Sequence, residues 1–415
     1  MKKYYEKVKG TLDFYPPRSI LFKNVADKAG KLFKTFGYEE IILPVLEETG
    51  VFIKSVGQTS DIVRKQIFKI ESKNIILRPE GTAQVVRFYI EKAIYRQRDF
   101  HKFFYIGPMF RGERPQKGRL RQFHHIGCEV FGSQSPYLDM EVIKLAMLIL
   151  ESCGVEKITL KLNSLGCEKD KKNFKNFLIR ELEGSKEKLC LVCKGRVLTN
   201  PLRVLDCKHQ SCKRVVSGLN LTKNNLCDSC RAHFEKVLSL LKKFNIPYDY
   251  DPTLVRGLDY YSNTVFEFVS SELGAKDACG AGGRYNDLVK NLGGPEIPAI
   301  GFALGVERMM LLIKEAPQVS TAKVFVAYTP RDIYPQAYKV LNSLRENGIP
   351  SDISYNDRPL KRQLRLAQKL GVDFTVIVGE EELKDGCLIL RNMRESTQNK
   401  VKLDDLVAVL KENLC

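Results

Sequence analysis

Between two apolar, strand-like stretches, Met109–Arg111 and Phe123–Phe131, the chain carries five cations in the eleven positions from Arg111 to Arg121. Unpaired charges at that density cannot enter a core, because burying each would cost far more than the packing returns. The intervening residues 112–122 must therefore be a loop held out from a sheet by the strands on either side. Arginine forks match phosphate oxygens two at a time, so a loop of this composition suits an anion that also offers a base to recognise.

The rest of the chain supplies a sheet and its covering helices. Leu21, Phe22, Val25, Ala29, Leu32 and Phe33 recur at helical spacing, which predicts an amphipathic helix ending near Gly37. Short strands are expected at 40–43, halted by Pro44, at 77–80, and at 103–106, where Gly107-Pro108 punctuates. Residues 141–153 read as a helix, 158–163 and 265–270 as strands, and 299–304 as a strand feeding a helix at 306–313. The last 95 residues alternate strand and helix, which predicts a small parallel or mixed sheet covered by helices.

Length and charge narrow the function classes. A chain of 415 residues accommodates two to four domains. Its longest uncharged apolar run, Leu145–Leu150, is far below the roughly 20 residues that cross a bilayer, and the basic start MKKYYEKVKG leads into no secretory core. A cytoplasmic location is expected, where the 12 cysteines stay reduced and serve metal binding or packing rather than disulfides. The net charge of +18 is concentrated: residues 168–248 hold 18 Lys and Arg against 8 Asp and Glu. That density fits either a polyanionic partner or a lysine-rich solvated surface.

Two familiar nucleotide signatures are missing. No G-x-x-x-x-G-K-[ST] occurs, and the stretch Cys279–Tyr285 (CGAGGRY) lacks the third glycine of a dinucleotide fingerprint. Triphosphate binding would have to use side-chain cations. Besides the 111–121 loop, Gly301–Arg308 (GFALGVER) puts an arginine at a helix start, and Leu254–Tyr261 (LVRGLDYY) sets an arginine and two tyrosines among apolar residues.

Taken together these stretches resemble the histidyl-tRNA synthetase family, within the class II aminoacyl-tRNA synthetases, nearly end to end. Lys9–Asp13 resembles the family's opening and Pro44 the proline of motif 1. Phe110–Glu113 (FRGE), extended to Glu129, resembles motif 2, and Gly301–Arg308 motif 3; LVRGLDYY and Ala281–Tyr285 (AGGRY) resemble the two histidine-specific motifs. The resemblance implies an α+β fold: a class II antiparallel-sheet catalytic domain (1–167 and 249–320), an inserted basic, Cys-rich subdomain over the tRNA acceptor stem (168–248), and a C-terminal α/β anticodon-binding domain (321–415). It implies a ligase that makes histidyl-adenylate from L-histidine and ATP with Mg²⁺, then charges its tRNA, as a homodimer. By the same resemblance Arg111 and Arg256 are catalytic. Arg111, Glu113, Arg119, Arg121, Phe123 and Arg308 hold ATP. Glu80, Thr82, Arg111, His125, Glu129, Arg256, Tyr260 and Tyr261 hold histidine, with Glu80 and Thr82 on its ammonium and Glu129 and Tyr261 on its ring nitrogens. A catalytically inactive regulatory subunit of histidine biosynthesis is the alternative with the same fold.

Two departures from the family pattern stand out. His125 lies where glutamine is usual, and brings with it a titration expected near neutrality; bound substrate is expected to meet its neutral form. Asn286 replaces an acid after AGGRY. The cysteines of the insert rest on spacing alone: Cys190-x-x-Cys193 and Cys227-x-x-Cys230 are expected to share a structural zinc, with Cys207 and Cys212 as alternates around His209. Buried reduced thiols without metal remain the other reading.

Overall fold

The computed structural model describes residues 5–56, 66–71, 73–221, 226–274, 278–314, 323–356 and 358–414. The chain forms two units, Met1–Ala316 and Pro317–Cys415; the expected boundary at 320/321 lies outside the described residues.

The first unit is built on an eight-stranded sheet. Its spatial order is Glu39–Glu40, His101–Phe110, Gln122–Phe131, Ala299–Gly305, Ala278–Arg284, Ser262–Val269, Thr159–Ser164 and Asp249–Tyr250. Only the two short edge pairings are parallel; all interior pairings are antiparallel. Alternation sorts the two faces. Phe104, Ile126, Cys128, Val130, Phe266 and Phe302 join Phe33, Ile149 and Phe234 under the helices Arg18–Thr35, Pro136–Ser152 and Asp228–Lys243. The intervening residues Phe103, Tyr105 and Val265 face the opposite core with Tyr260, Tyr261 and Tyr285. Glu129, between Cys128 and Val130, consequently points to this second face, which the helix Thr82–Glu91 covers.

Three local expectations change. Gly107-Pro108 does not end a strand: His101–Phe110 runs unbroken against Gln122–Phe131. A Cβ on Gly107 would lie 2.6 Å from Arg78 Nη2, and the Pro108 carbonyl accepts from Arg78 Nε at 2.9 Å, so both residues accommodate the buried Arg78. The strand expected at 40–43 shrinks to Glu39–Glu40, because the Leu43 carbonyl accepts from Arg78 Nη1 instead of a ladder partner. The one at 77–80 becomes Ile75–Leu77, leaving Glu80 free to serve the following helix. The first helix stops as expected, with Gly37 at φ +77° past its end.

Between Glu168 and Lys243 the described residues are mostly helical, and the returning helix Asp228–Lys243 buries Phe234, Val237 and Leu241 in the core of the sheet itself. The second unit is a mixed five-stranded sheet ordered Ser351–Ile353, Val324–Thr329, Phe374–Gly379, Cys387–Asn392 and Gln398–Lys402, with the first three parallel and the rest antiparallel. The last strand went unforeseen because it is polar and almost wholly exposed. Among the described residues, no helix is long and apolar enough to cross a membrane.

Candidate active site

The cationic loop leaves the sheet between two antiparallel strands, so its ends are fixed by the ladder. Arg111 is anchored by its Nε to the Pro79 carbonyl at 2.9 Å and its guanidinium lies 5.2 Å from the centre of the Phe123 ring. Glu113 pairs with Arg119, and Arg121 bonds the carbonyls of Glu113 and Lys9 at 3.3 Å each. Arg308, at the start of the helix after Ala299–Gly305, donates to the Gly118 carbonyl at 2.9 Å, closing the loop onto the sheet. Burial, and then the charges of Arg119 and Arg111, pull the Arg308 pKa down. Three guanidiniums from two separate stretches therefore sit close enough to repel one another, which is the arrangement of an anion site.

His125 stands in register with Gly305 and Gly107, on the floor beneath these arginines. Burial, followed by the charges of Arg111, Arg308 and Arg78, holds its imidazole well below the usual histidine range. The titration expected near neutrality is thus displaced, and the ring is neutral at physiological pH. Among the described residues seven buried side-chain polar atoms lack a partner, and three of them are Arg119 Nε, His125 Nδ1 and Arg256 Nε. Orphaned buried donors are rare, and their concentration here marks a place completed by something polar.

Beside Arg111 lies a second, acidic pocket. Glu80 accepts from the backbone N–H groups of Thr82 and Ala83 at 2.7 and 2.9 Å, as acceptor for the helix they open. The Thr82 hydroxyl donates to Glu129 Oε1 at 2.7 Å, Tyr105 donates to the same oxygen at 3.3 Å, and Tyr285 donates to Oε2. Burial, only partly offset by these hydroxyls, raises the Glu129 pKa to about 8. Glycines make the room: a Cβ on Gly301 would lie 2.0 Å from Glu129 Oε2, and one on Gly127 or Gly81 would enter the Tyr105 ring. Tyr260 donates to Glu80 at 3.5 Å and packs against Tyr261 at 4.8 Å between ring centres. Tyr261 is 7% exposed and lies 5.8 Å from the Arg256 guanidinium, which also pairs with Glu267. Arg111 bridges the two halves: burial lowers its pKa while Glu113 on one side and Glu80 and Tyr260 on the other oppose the shift.

Two groups in this pocket had no role assigned from sequence. Tyr285 was part of a motif but looks like any core tyrosine, and Tyr105 sits in an apolar run; only the fold aims both at Glu129. Arg284, in the same AGGRY motif, is fully buried on the far side of its strand. It binds Asp139 and the carbonyls of Ser133 and Ser135, so its work is structural.

The cysteine pairing is a correction. Cys190 and Cys193 cluster with Cys207 and Cys212, whereas Cys227 and Cys230 cluster with Cys167 and Asp170, all ligand atoms of each group lying within 4.8 Å of one another. The two Cys-x-x-Cys pairs do not share a site. Each begins a different helix, Leu191–Thr199 or Asp228–Lys243, and the start of each helix faces different neighbours. Cys207 and Cys212, held as alternates, complete the first set: Cys190 Sγ is 3.9 Å from Cys207 Sγ, and Cys212 Sγ accepts from Cys190 N at 3.2 Å. Tetrahedral zinc with bonds of about 2.3 Å needs sulfur separations of about 3.8 Å.

An antiparallel sheet whose central hairpin lifts an arginine loop, closed by a helix-borne arginine and flanked by an acidic pocket, defines a class II aminoacyl-tRNA synthetase. The family model described as histidyl-tRNA synthetase matches residues 10–169 and 202–309, and an anticodon-binding domain model matches 323–413. The chain belongs to the histidyl-tRNA synthetase family, whose members are ATP-dependent ligases. It is 45% identical to the histidine–tRNA ligase of Aquifex aeolicus, with 97% of this chain and 99% of that protein aligned, and 42% identical to that of Halothermothrix orenii over 96% and 97%. The apo histidyl-tRNA synthetase crystal structure from S. aureus superposes with a TM-score of 0.81 at 31% identity, over 98% and 99% of the two chains. Full-length identity with ligases does not favour the regulatory-subunit alternative.

Proposed function

We propose that the two pockets act together in a histidine–tRNA ligase, with ATP under the arginine loop and L-histidine over Glu129. The observation that carries this is Arg111, tied to the Pro79 carbonyl next to Glu80 at 2.9 Å and within reach of the charges of both Glu80 and Arg308, where a carboxylate and an α-phosphate would meet. The histidine carboxylate attacks the α-phosphorus, its P–O bond to pyrophosphate breaks, and a ribose hydroxyl of the tRNA terminus later takes the acyl group while AMP leaves. Arg111 and Arg256 would offset charge on the α-phosphate, acting by position and electrostatics without a covalent enzyme intermediate. Arg119, Arg121 and Arg308 would hold the outer phosphates, and Glu113 and Phe123 would face the adenine with Arg308 on its other side. Mg²⁺ would enter with the nucleotide as part of the substrate and offset its negative charge.

Glu80 and Thr82 would receive the ammonium, while Glu129 and Tyr261 would hold the ring nitrogens and neutral His125 would offer one donor and one acceptor to substrate. A side chain lacking either nitrogen would leave a buried group unpaired, which is the basis of selectivity. The insert would clamp the acceptor stem through phosphate contacts, supported by its charge and by the cleft that Lys171, Lys175 and Arg203 line together with Arg256. Zn²⁺ held by Cys190, Cys193, Cys207 and Cys212 would brace that insert. The 321–415 domain would read the anticodon. A homodimer is supported by Ile42, 92% exposed beside Pro44, and the enzyme would work in the cytoplasm.

Histidine-dependent exchange of pyrophosphate into ATP tests the reading. Arg256→Gln should cut the exchange kcat by roughly 100- to 1000-fold while histidine still quenches tyrosine fluorescence on binding. Exchange that is independent of histidine, or unaffected by the substitution, would refute it.

A further inference from the structure

The second cysteine cluster falls where the insert is rooted. Cys167 and Asp170 begin the outgoing helix Glu168–Glu183, and Cys227 and Cys230 begin the returning helix Asp228–Lys243. Asp170 and Cys227 are 57 positions apart in sequence, yet Asp170 Oδ1 accepts from Cys227 N at 3.1 Å while Oδ2 accepts from Cys167 N at 3.3 Å. Asp170 is 3% and Cys230 6% exposed. Each carboxylate oxygen keeps a lone pair beyond its backbone bond, and three thiols face the same point.

We infer that Cys167, Asp170, Cys227 and Cys230 form a second tetrahedral Zn²⁺ site, which ties the two ends of the insert to each other and to the catalytic sheet. Binding releases the three thiol protons to solvent and forms three Zn–S bonds and one Zn–O bond. The product carries a net charge of −2, and it lies at the N-termini of two 16-residue helices, whose unpaired N–H groups and dipoles favour negative charge. A three-sulfur, one-oxygen set at this spacing suits a single borderline-soft ion. Because Asp228–Lys243 is packed into the core of the sheet, the ion fixes the outgoing helix to a rigid element, a role distinct from bracing the insert's interior.

Metal content of the full-length protein, purified under reducing conditions and loaded with zinc, decides the matter. Two zinc ions per chain are expected. Cys227→Ser combined with Cys230→Ser should leave one, while Cys193→Ser combined with Cys212→Ser should remove the other. Cobalt substitution gives a reading that tolerates weaker folding. The thiolate-to-cobalt absorption reports seven Co–S bonds in the parent, four from one cluster and three from the other. It should fall to about four-sevenths in Cys227→Ser/Cys230→Ser, and Asp170→Asn should alter only the three-sulfur component. A parent protein with one zinc, retained in Cys227→Ser/Cys230→Ser, would overturn the inference, as would a Cys227–Cys230 disulfide in the reduced preparation. Neither result would touch the assignment of the active site, which histidine-dependent exchange tests separately.

Discussion

Glu129 is held in an unusual state for a carboxyl group. Three hydroxyls donate to it, which favours the carboxylate, yet burial outweighs them and Glu80 adds its charge, so its pKa stands at about 8. The acid is therefore neutral below that value and ionises as pH climbs through it. Substrate brings an ammonium beside Glu80, and that positive charge pulls the Glu129 pKa back down. Between about pH 6 and pH 8 histidine binding should accordingly release up to about one proton. Calorimetry in two buffers of different ionisation enthalpy reads the release directly, and Glu129→Gln should abolish it. A binding enthalpy independent of buffer would contradict the account. His125 contributes nothing to this profile, since burial, and then its arginine neighbours, hold it neutral. Motifs were enough to single out Glu129, Tyr261 and the three arginines as candidates. Their protonation states were not legible, because those depend on which charges the fold brings within a few ångströms.

At the level of elements, the site exists because strands and helices are locked in register. The strand Ala278–Arg284 ends in a guanidinium that grips Asp139 on the helix Pro136–Ser152 and two carbonyls at that helix's start, with both charged side chains fully buried. His233 of the returning helix adds a contact to Asp139 at 3.3 Å. Removing one partner leaves a buried charge uncompensated, so Arg284→Met should cost roughly 3–5 kcal/mol. Urea unfolding followed by circular dichroism measures it. Arg284→Met combined with Asp139→Leu should be the less damaging change, since it removes both charges. If the double variant were as unstable as the sum of the single ones, the pair would not be acting as a unit. Helices and long strands were readable from periodicity, and the hairpin from its apolar flanks. The continuity of His101–Phe110 through Gly107-Pro108 was not, because what permits it is a side chain from elsewhere, Arg78. The pairing of the cysteines was hidden for the same reason: spacing along the chain says that a helix start offers two thiols, not which other helix start it meets.

Across the whole molecule, the hydrophobic cores respect the division of the chain. The two clusters of the first unit contain residues no later than Ile313, and the two of the second begin at Val324 and Phe325. A unit with its own core and its own sheet is able to fold alone. All residues proposed to hold ATP and histidine belong to Met1–Ala316. Adenylate formation requires only those, whereas charging requires the tRNA to be held as well. A chain shortened to residues 1–316 should therefore retain histidine-dependent exchange within about threefold, and lose roughly 100-fold or more of kcat/KM for tRNA charging, equivalent to about 2.8 kcal/mol of tRNA contacts. Parallel exchange and charging assays on the shortened chain make the comparison. Equal losses in both would mean that the second unit shapes the catalytic pocket itself, and equal retention would remove it from tRNA recognition.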